Sequence, residues 1–208
     1  QALAAGFRDA PEAAIGGRTI NGLPNNVYSS ASQLLVTYLY SYYNGAAGAA
    51  SFFTSNNLAV PTDRFRALGG FDDTFSLAAG EDRDFCERWV EGGGRLIYNP
   101  EAIIHHEHVL GFGSFWRQHF NYGRGAFRFR AARALRTGDR LKMEPASFYF
   151  KMMRAPLAQA QDGRALVMVA LLGMAQVANL VGYLSQSTES LRLGQASQTR
   201  NPKHGRTD

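Results

Sequence analysis

Two carboxylates, Glu81 and Asp82, open the run Gly80-Glu81-Asp82-Arg83-Asp84-Phe85-Cys86-Glu87-Arg88-Trp89-Val90. Phe85, Cys86, Trp89 and Val90 recur at helical spacing and define one apolar face. Asp82 stands three residues before Phe85, four before Cys86 and seven before Trp89, so it projects on the buried side. Arg83, Asp84, Glu87 and Arg88 are expected to pair outside. Two chemistries suit the position of Asp82. Acidic side chains at a helix start cap free backbone amides and meet the positive end of the dipole. A carboxylate held by a rigid helix at the rim of a cleft also suits a general base that takes a proton from a hydroxyl. Spacing alone leaves both open.

A second concentration is His105-His106-Glu107-His108. Alternate residues of a strand share a face, so His106 and His108 would point together and Glu107 away. The readings are a solvated polar turn at a strand end and a self-contained metal site. Three protein ligands plus a water would suggest a hydrolase, but no second His or Cys cluster supplies the missing ligand at a recognisable spacing. A third feature is basic: ten Lys and Arg residues fall between Phe115 and Arg154 against Asp139 and Glu144, within a net charge of +5. Such a segment attracts phosphate on nucleic acid, on lipid or in a sugar diphosphate. Inside it, Trp116 and Phe120 stand at the i, i+4 spacing of packing residues, and Arg124 lies between Gly123 and Gly125.

These groups need elements to hold them. With 45% apolar and 12% aromatic residues, the 208-residue chain can bury a full core, as an ordinary α/β domain does. Ala13-Ala14-Ile15 reads as a short strand broken by Gly16-Gly17, and Asn21 to Asn26 as a loop. Leu34, Leu35, Tyr38, Leu39 and Tyr42 predict a helix over 30–43, capped by Ser29 or Ser30 and ended by the stretch 44–48. Ser51 to Val60 reads as a buried strand interrupted by Thr54-Ser55-Asn56-Asn57. A short helix over 61–68 closes at Gly69-Gly70 before the turn Phe71-Asp72-Asp73. Arg95 to Tyr98 and Ala102 to Ile104 read as two strands separated by Asn99-Pro100.

From Ser114 the pattern is helical, with Phe127, Ala131, Ala134 and Leu135 recurring among arginines. Ala165 to Leu184 follows, nearly continuous in apolar residues. It has about the length of a membrane span, but Gln176, Asn179, Gly173 and Gly182 favour a helix in the membrane interface or packed on the rest of the chain. The polar tail 195–208 is expected to be disordered. Cys86, the one cysteine, reads as a small core residue in a reducing compartment, which favours the cytoplasm. Residue 1 is Gln, and Leu3 to Pro11 lacks the regions of a signal peptide, so the sequence reads as a fragment or a processed chain.

Four stretches together resemble family 2 glycosyltransferases in order and spacing: Ser55-Asn56-Asn57-Leu58-Ala59-Val60, Gly69-Gly70-Phe71-Asp72-Asp73-Thr74-Phe75, Glu81-Asp82-Arg83-Asp84-Phe85 and Pro100-Glu101-Ala102-Ile103-Ile104-His105-His106-Glu107-His108. The resemblance implies the C-terminal half of a GT-A fold, a Rossmann-like mixed sheet with flanking helices, followed by a basic and apolar helical extension. It implies sugar transfer from a nucleotide-sugar donor to a hydroxyl of a saccharide or lipid-linked acceptor, with inversion, as in building cell-envelope polysaccharide.

Carried over by position, Asp82 matches the aspartate that deprotonates the acceptor. Glu81 would shape the acceptor site, and Asn57 falls in the segment beneath donor and acceptor. His106, with His108 second, matches the histidine that joins the family's Asp-x-Asp motif in holding manganese or magnesium on the donor diphosphate. Phe115 to Gly125 resembles the loop and helix that close over the donor, with Arg124 on phosphate, Trp116 beside it, and Gly123 and Gly125 permitting movement.

Asp72-Asp73 is not the Asp-x-Asp motif, so the nucleotide-binding half is expected elsewhere and the isolated chain is expected to be inactive. The resulting organisation is a catalytic half over 1–126, a helical extension over 127–194 at the inner face of the cell membrane, and the tail. The rival expectation is a non-catalytic module that uses the arginines on anionic membrane or nucleic acid, although no nucleic-acid fold signature is present.

Overall fold

Gly16 and Gly17 do not break the first strand; they let its neighbours approach. A Cβ on Gly16 would lie 2.1 Å from the Phe53 ring, and one on Gly17 would lie 2.1 Å from the Ala102 carbonyl oxygen. The strand β1 therefore runs unbroken over Ala14–Asn21. It pairs antiparallel with the two-residue β2, Leu58–Ala59, and parallel with β3, Leu96–His106, in the order β2-β1-β3. The two strands expected around Asn99-Pro100 are one. Gly17 pairs with Asn99 and Arg18 with Ile103, so residues 100–102 form a bulge that takes Pro100 out of the ladder. Asn57 staples it, donating from Nδ2 to the carbonyls of Arg18 (3.1 Å) and Ala102 (2.8 Å).

The computed structural model describes residues 2–45, 50–75, 79–141, 143–159 and 164–200. Its helices are α1 (Ala2–Asp9), α2 (Val27–Asn44), α3 (Thr62–Ala67), α4 (Glu81–Glu91), α5 (Phe112–Thr137), α6 (Ala146–Gln159) and α7 (Arg164–Arg200), with a single 3-10 turn at Ser55–Asn57. The result is a mixed α/β fold, an open three-stranded sheet with helices about it and a long apolar helix at the C-terminal end. Only Leu58–Ala59 of the expected 51–60 strand pairs, because the polar stretch turns as the 3-10 segment.

Helix α2 starts three residues before the expected place. Asn26 is the cap, accepting from the Ser29 amide at 3.0 Å, while the Ser29 hydroxyl is used on the His108 carbonyl. The expected end of that helix falls partly on 46–49, outside the described residues. Of the polar tail, 195–200 continue α7 as helix rather than disorder, and 201–208 lie outside the described residues.

Phe85, Cys86 and Trp89 of α4 pack with Ala14, Phe53 and Leu96 into the core at the sheet. Two further clusters join the other helices: Ala31, Leu110, Phe115 and Ala175 in one, Leu35, Met152 and Leu172 in the other. Helix α5 runs unbroken across the expected boundary at 126/127 and lies directly on α7. Glycines set that distance. A Cβ on Gly123 would sit 1.9 Å from the Asn179 carbonyl oxygen, and one on Gly182 would sit 2.0 Å from that of Phe120. Gly123 is thus a contact between helices rather than a hinge.

Gly123→Ala should lower the unfolding free energy by about 1–3 kcal/mol, the usual cost of overpacking a close contact. Gly113→Ala, on the same helix with nothing near its Cβ, should be neutral or slightly stabilising. Denaturant melts of both variants check this, and equal midpoints would refute the close crossing.

Candidate active site

Helix α4 is entered through Gly80 in the left-handed region, φ 93°, a conformation that a side chain would strain. Gly80 presses on α5: its Cβ would lie 2.9 Å from the Gly125 carbonyl oxygen, and a Cβ on Gly125 would lie 2.0 Å from that of Ala79. This docking presents Glu81 and Asp82 to a cavity of about 700 Å³ enclosed by the sheet end, α2, α5, α6 and α7. Asp82 accepts from the Arg83 amide at 2.8 Å. Burial, and then the neighbouring charge of Glu81, push its carboxyl up to about 7, against the stabilising backbone amides of Arg83 and Ser55. Glu81 leaves Oε2 buried and without a partner among the described residues.

Asp84 is not outside, as the sequence pattern suggested. It is 1% exposed, held by Arg88 at 2.7 Å and by Arg136 of α5 at 2.6 Å. Val90, expected on the buried face, is 46% exposed. Arg83 turns to Tyr43 and to Glu144 (3.3 Å), which also accepts from Tyr42.

The sheet side of the cavity carries His106 and His108, the ring centroids 5.7 Å apart. Burial lowers the His108 pKa, with the neighbouring His106 adding to it. Nδ1 of His106 meets Asn56 at 3.3 Å. Asn56 is itself oriented by the Thr54 hydroxyl (2.7 Å) and, beyond it, Tyr40 (2.7 Å). The neighbouring asparagines thus divide their work: Asn57, named from the sequence, staples the sheet and is 3% exposed, whereas Asn56 lines the cavity. Only the register of β2 distinguishes them.

Two imidazoles supply at most two ligand nitrogens, and no group of three or more His, Cys, Asp or Glu among the described residues could hold a metal. The pair therefore fits a share in an ion held mainly by other ligands, not a self-contained centre.

Trp116 and Arg124 are not brought to the cavity. Trp116 is half-buried on α5 away from it, and Arg124 binds Gln186 (2.9 Å) and Glu189 (2.6 Å) of α7. From α5 the cavity is lined by Gln118, Tyr122, Gly123, Ala126, Phe129 and Arg130, none of them singled out by the sequence as a site residue apart from Gly123. Gln118 donates to Ser32 at 2.8 Å. Burial, then the charges of Asp82 and Glu81, hold the Tyr122 phenol up at about 12. The i, i+4 spacing of Gln118 and Tyr122 was available in the sequence, but nothing there said which face meets α4.

Residues 1–186 match the family described as Glycosyl transferase family group 2, most of the 208-residue chain. The chain belongs to that family. Membership makes it a domain of a glycosyltransferase family, one in which divalent metals are in general use. Two relatives, each a "Pre-mycofactocin glycosyltransferase" from a strain of Mycobacterium tuberculosis, are 40% identical over 58 residues. That stretch is 28% of this chain and 12% of each relative, so the chain spans only a small part of the length of the relatives it matches. No solved structure matches.

A buried carboxyl near 7 has a consequence for stability. Folded Asp82 keeps its proton to about 7, whereas unfolded it releases it near 3.8. The cost of its charge is therefore absent below the unfolded value, grows between the two and is complete above about 7. Asp82→Asn should stabilise the fold at pH 8 by up to about 4 kcal/mol and change it little at pH 4. Melts at both pH values check this; an equal effect at both would contradict the raised pKa.

Proposed function

We propose that this family 2 domain transfers a sugar from a nucleotide-sugar donor to an acceptor hydroxyl with inversion, and that Asp82 is the base. The observation that carries the reading is a carboxylate on a fixed helix start, open to a cavity and poised near neutrality. The acceptor hydroxyl gives its proton to Asp82 as its oxygen bonds to the anomeric carbon. The bond from that carbon to the diphosphate oxygen breaks, and its electron pair leaves with the nucleoside diphosphate. The reaction is one displacement, with no sugar bound to the enzyme.

On the sheet side, His106, oriented by Asn56, and His108 face the leaving diphosphate in this proposal. The two imidazoles would help to hold a divalent ion, whose chemistry there would be positive charge against that developing on the diphosphate. Arg124 has no such role here, because its guanidinium is committed to α7. The same fact weakens the rival phosphate-binding module. Arg133 and Arg136 likewise face acids of α4, so much of the basic charge of α5 is spent inside the fold.

For location, we propose the cytoplasmic face of a membrane. Among the described residues one helix, within Arg164–Arg192, is long and apolar enough to cross a membrane by length and composition. Its exposed Leu166, Val177, Leu184 and Leu191 support contact with lipid, while its crossing with α5 favours a helix lying on the surface.

Sugar transfer by the full-length protein tests the reading. Asp82→Asn should lower turnover by about 100-fold or more, the lower range for loss of a general base. Wild-type kcat/KM should rise with pH through about 7, because the base works deprotonated. Glu81→Gln should move that midpoint down by removing the charge that raises it. Near-normal turnover in Asp82→Asn would sink the role. Sedimentation of the same protein with anionic vesicles checks the membrane contact, and a protein left wholly in the supernatant contradicts it.

A further inference from the structure

The helical side of the cavity carries polar groups that neither the fold nor the proton transfer uses. Gln176 and Asn179 interrupt the long apolar run of α7, and both line the cavity. They stand three residues apart, on one face of the helix. Their side-chain amides make no hydrogen bond with any described residue. The glycine crossing of α5 and α7 brings this face in: Asn179 is the residue whose backbone rests on Gly123, next to Tyr122.

Three more groups share the same space: Glu81 of α4, and Gln118 and Tyr122 of α5. Glu81 Oε2 and Gln118 Oε1 are both buried without a partner among the described residues. Gln118 gives its amide nitrogen to Ser32, and its carbonyl is an acceptor left over. Tyr122 brings to the cavity a phenol that can donate and accept. Buried acceptors without donors are costly, and a ligand that supplied donors would relieve the cost.

The set therefore asks for a partner that donates and accepts at several points. A phosphate brings only acceptors and would meet the charge of Glu81, and the arginines of the cavity lining, Arg83 and Arg130, lie outside this set. An alkyl chain brings neither. A ring bearing several hydroxyls brings both, because each hydroxyl donates once and accepts as well.

We propose that Glu81, Gln118, Tyr122, Gln176 and Asn179 form an acceptor subsite, and that the acceptor presents a hydroxylated sugar ring to it. The proposal rests on Asp82 being the base, since the base fixes the side from which the acceptor hydroxyl comes. It makes Gln176 and Asn179 specificity residues, and it explains why an otherwise apolar helix carries two amides at that point.

The test is saturation-transfer NMR on the full-length protein with maltose, cellobiose, lactose and N,N′-diacetylchitobiose as probes. Wild type should transfer saturation to the ring protons of at least one disaccharide. Gln176→Leu/Asn179→Leu should weaken that binding by about fivefold or more for each amide removed. A melting curve shows whether the double variant is folded, and alanine at both positions replaces leucine if leucine overpacks. No ring signal with any probe in wild type, or equal binding in the folded variant, would overturn the subsite. Failure of the transferase reading is seen separately, as absent nucleotide-sugar turnover by wild type or turnover untouched by Asp82→Asn.

Discussion

The geometry of the site depends on one buried charge, the carboxylate of Asp84. At 1% exposed it has left water, and a carboxylate there persists only when paired and hydrogen-bonded. Arg88, one turn on, and Arg136, from the far end of α5, supply the pairing at 2.7 Å and 2.6 Å. Arg136 also reaches Glu87 and Glu91, and Arg133 reaches Glu87, so α4 is strapped along its length to α5. At the other end of α4 the backbone of Ala79 and Gly80 rests on Gly125. Held at both ends, the helix gives Glu81 and Asp82 a fixed direction.

The arrangement also divides the acids of α4 into two classes. Asp84, Glu87 and Glu91 meet arginines. Glu81 and Asp82 lie beyond that strap, and Arg83, adjacent in sequence, is engaged with Tyr43 and Glu144. Asp82 therefore feels burial and a second carboxylate rather than a close cation, and its pKa rises toward neutrality. A helix that neutralised all its acids would give a stronger fold and a weaker base. The buried His119, 0% exposed with neither ring nitrogen partnered among the described residues and its pKa lowered by burial to about 4, is a further polar cost carried on α5.

Much of this was legible in residue order. The apolar spacing of Phe85, Cys86 and Trp89 marked α4 and the side on which Asp82 lies, and Gly69-Gly70 marked the end of α3. What periodicity missed depends on contacts between residues distant in sequence. Arg136 lies fifty-two positions from Asp84, so a pattern read along α4 alone left that acid outside. Gly16-Gly17 and Gly123 look like breaks or hinges until the Phe53 ring, the β3 bulge and the α7 backbone are seen to fill their missing side chains. Asn56 and Asn57 are the same residue type in neighbouring places, and only the pairing of β2 sends one to the cavity and the other into the sheet.

The most direct measurement is a carbon-13 NMR titration of the side-chain carboxyls in the folded protein, with the Asp82 resonance assigned by its loss in Asp82→Asn. The account predicts a midpoint near 7 for Asp82 that falls when Glu81 becomes Gln. A midpoint near 3.8, the ordinary value for aspartate, would mean that Asp82 is a solvated helix cap and not a poised base.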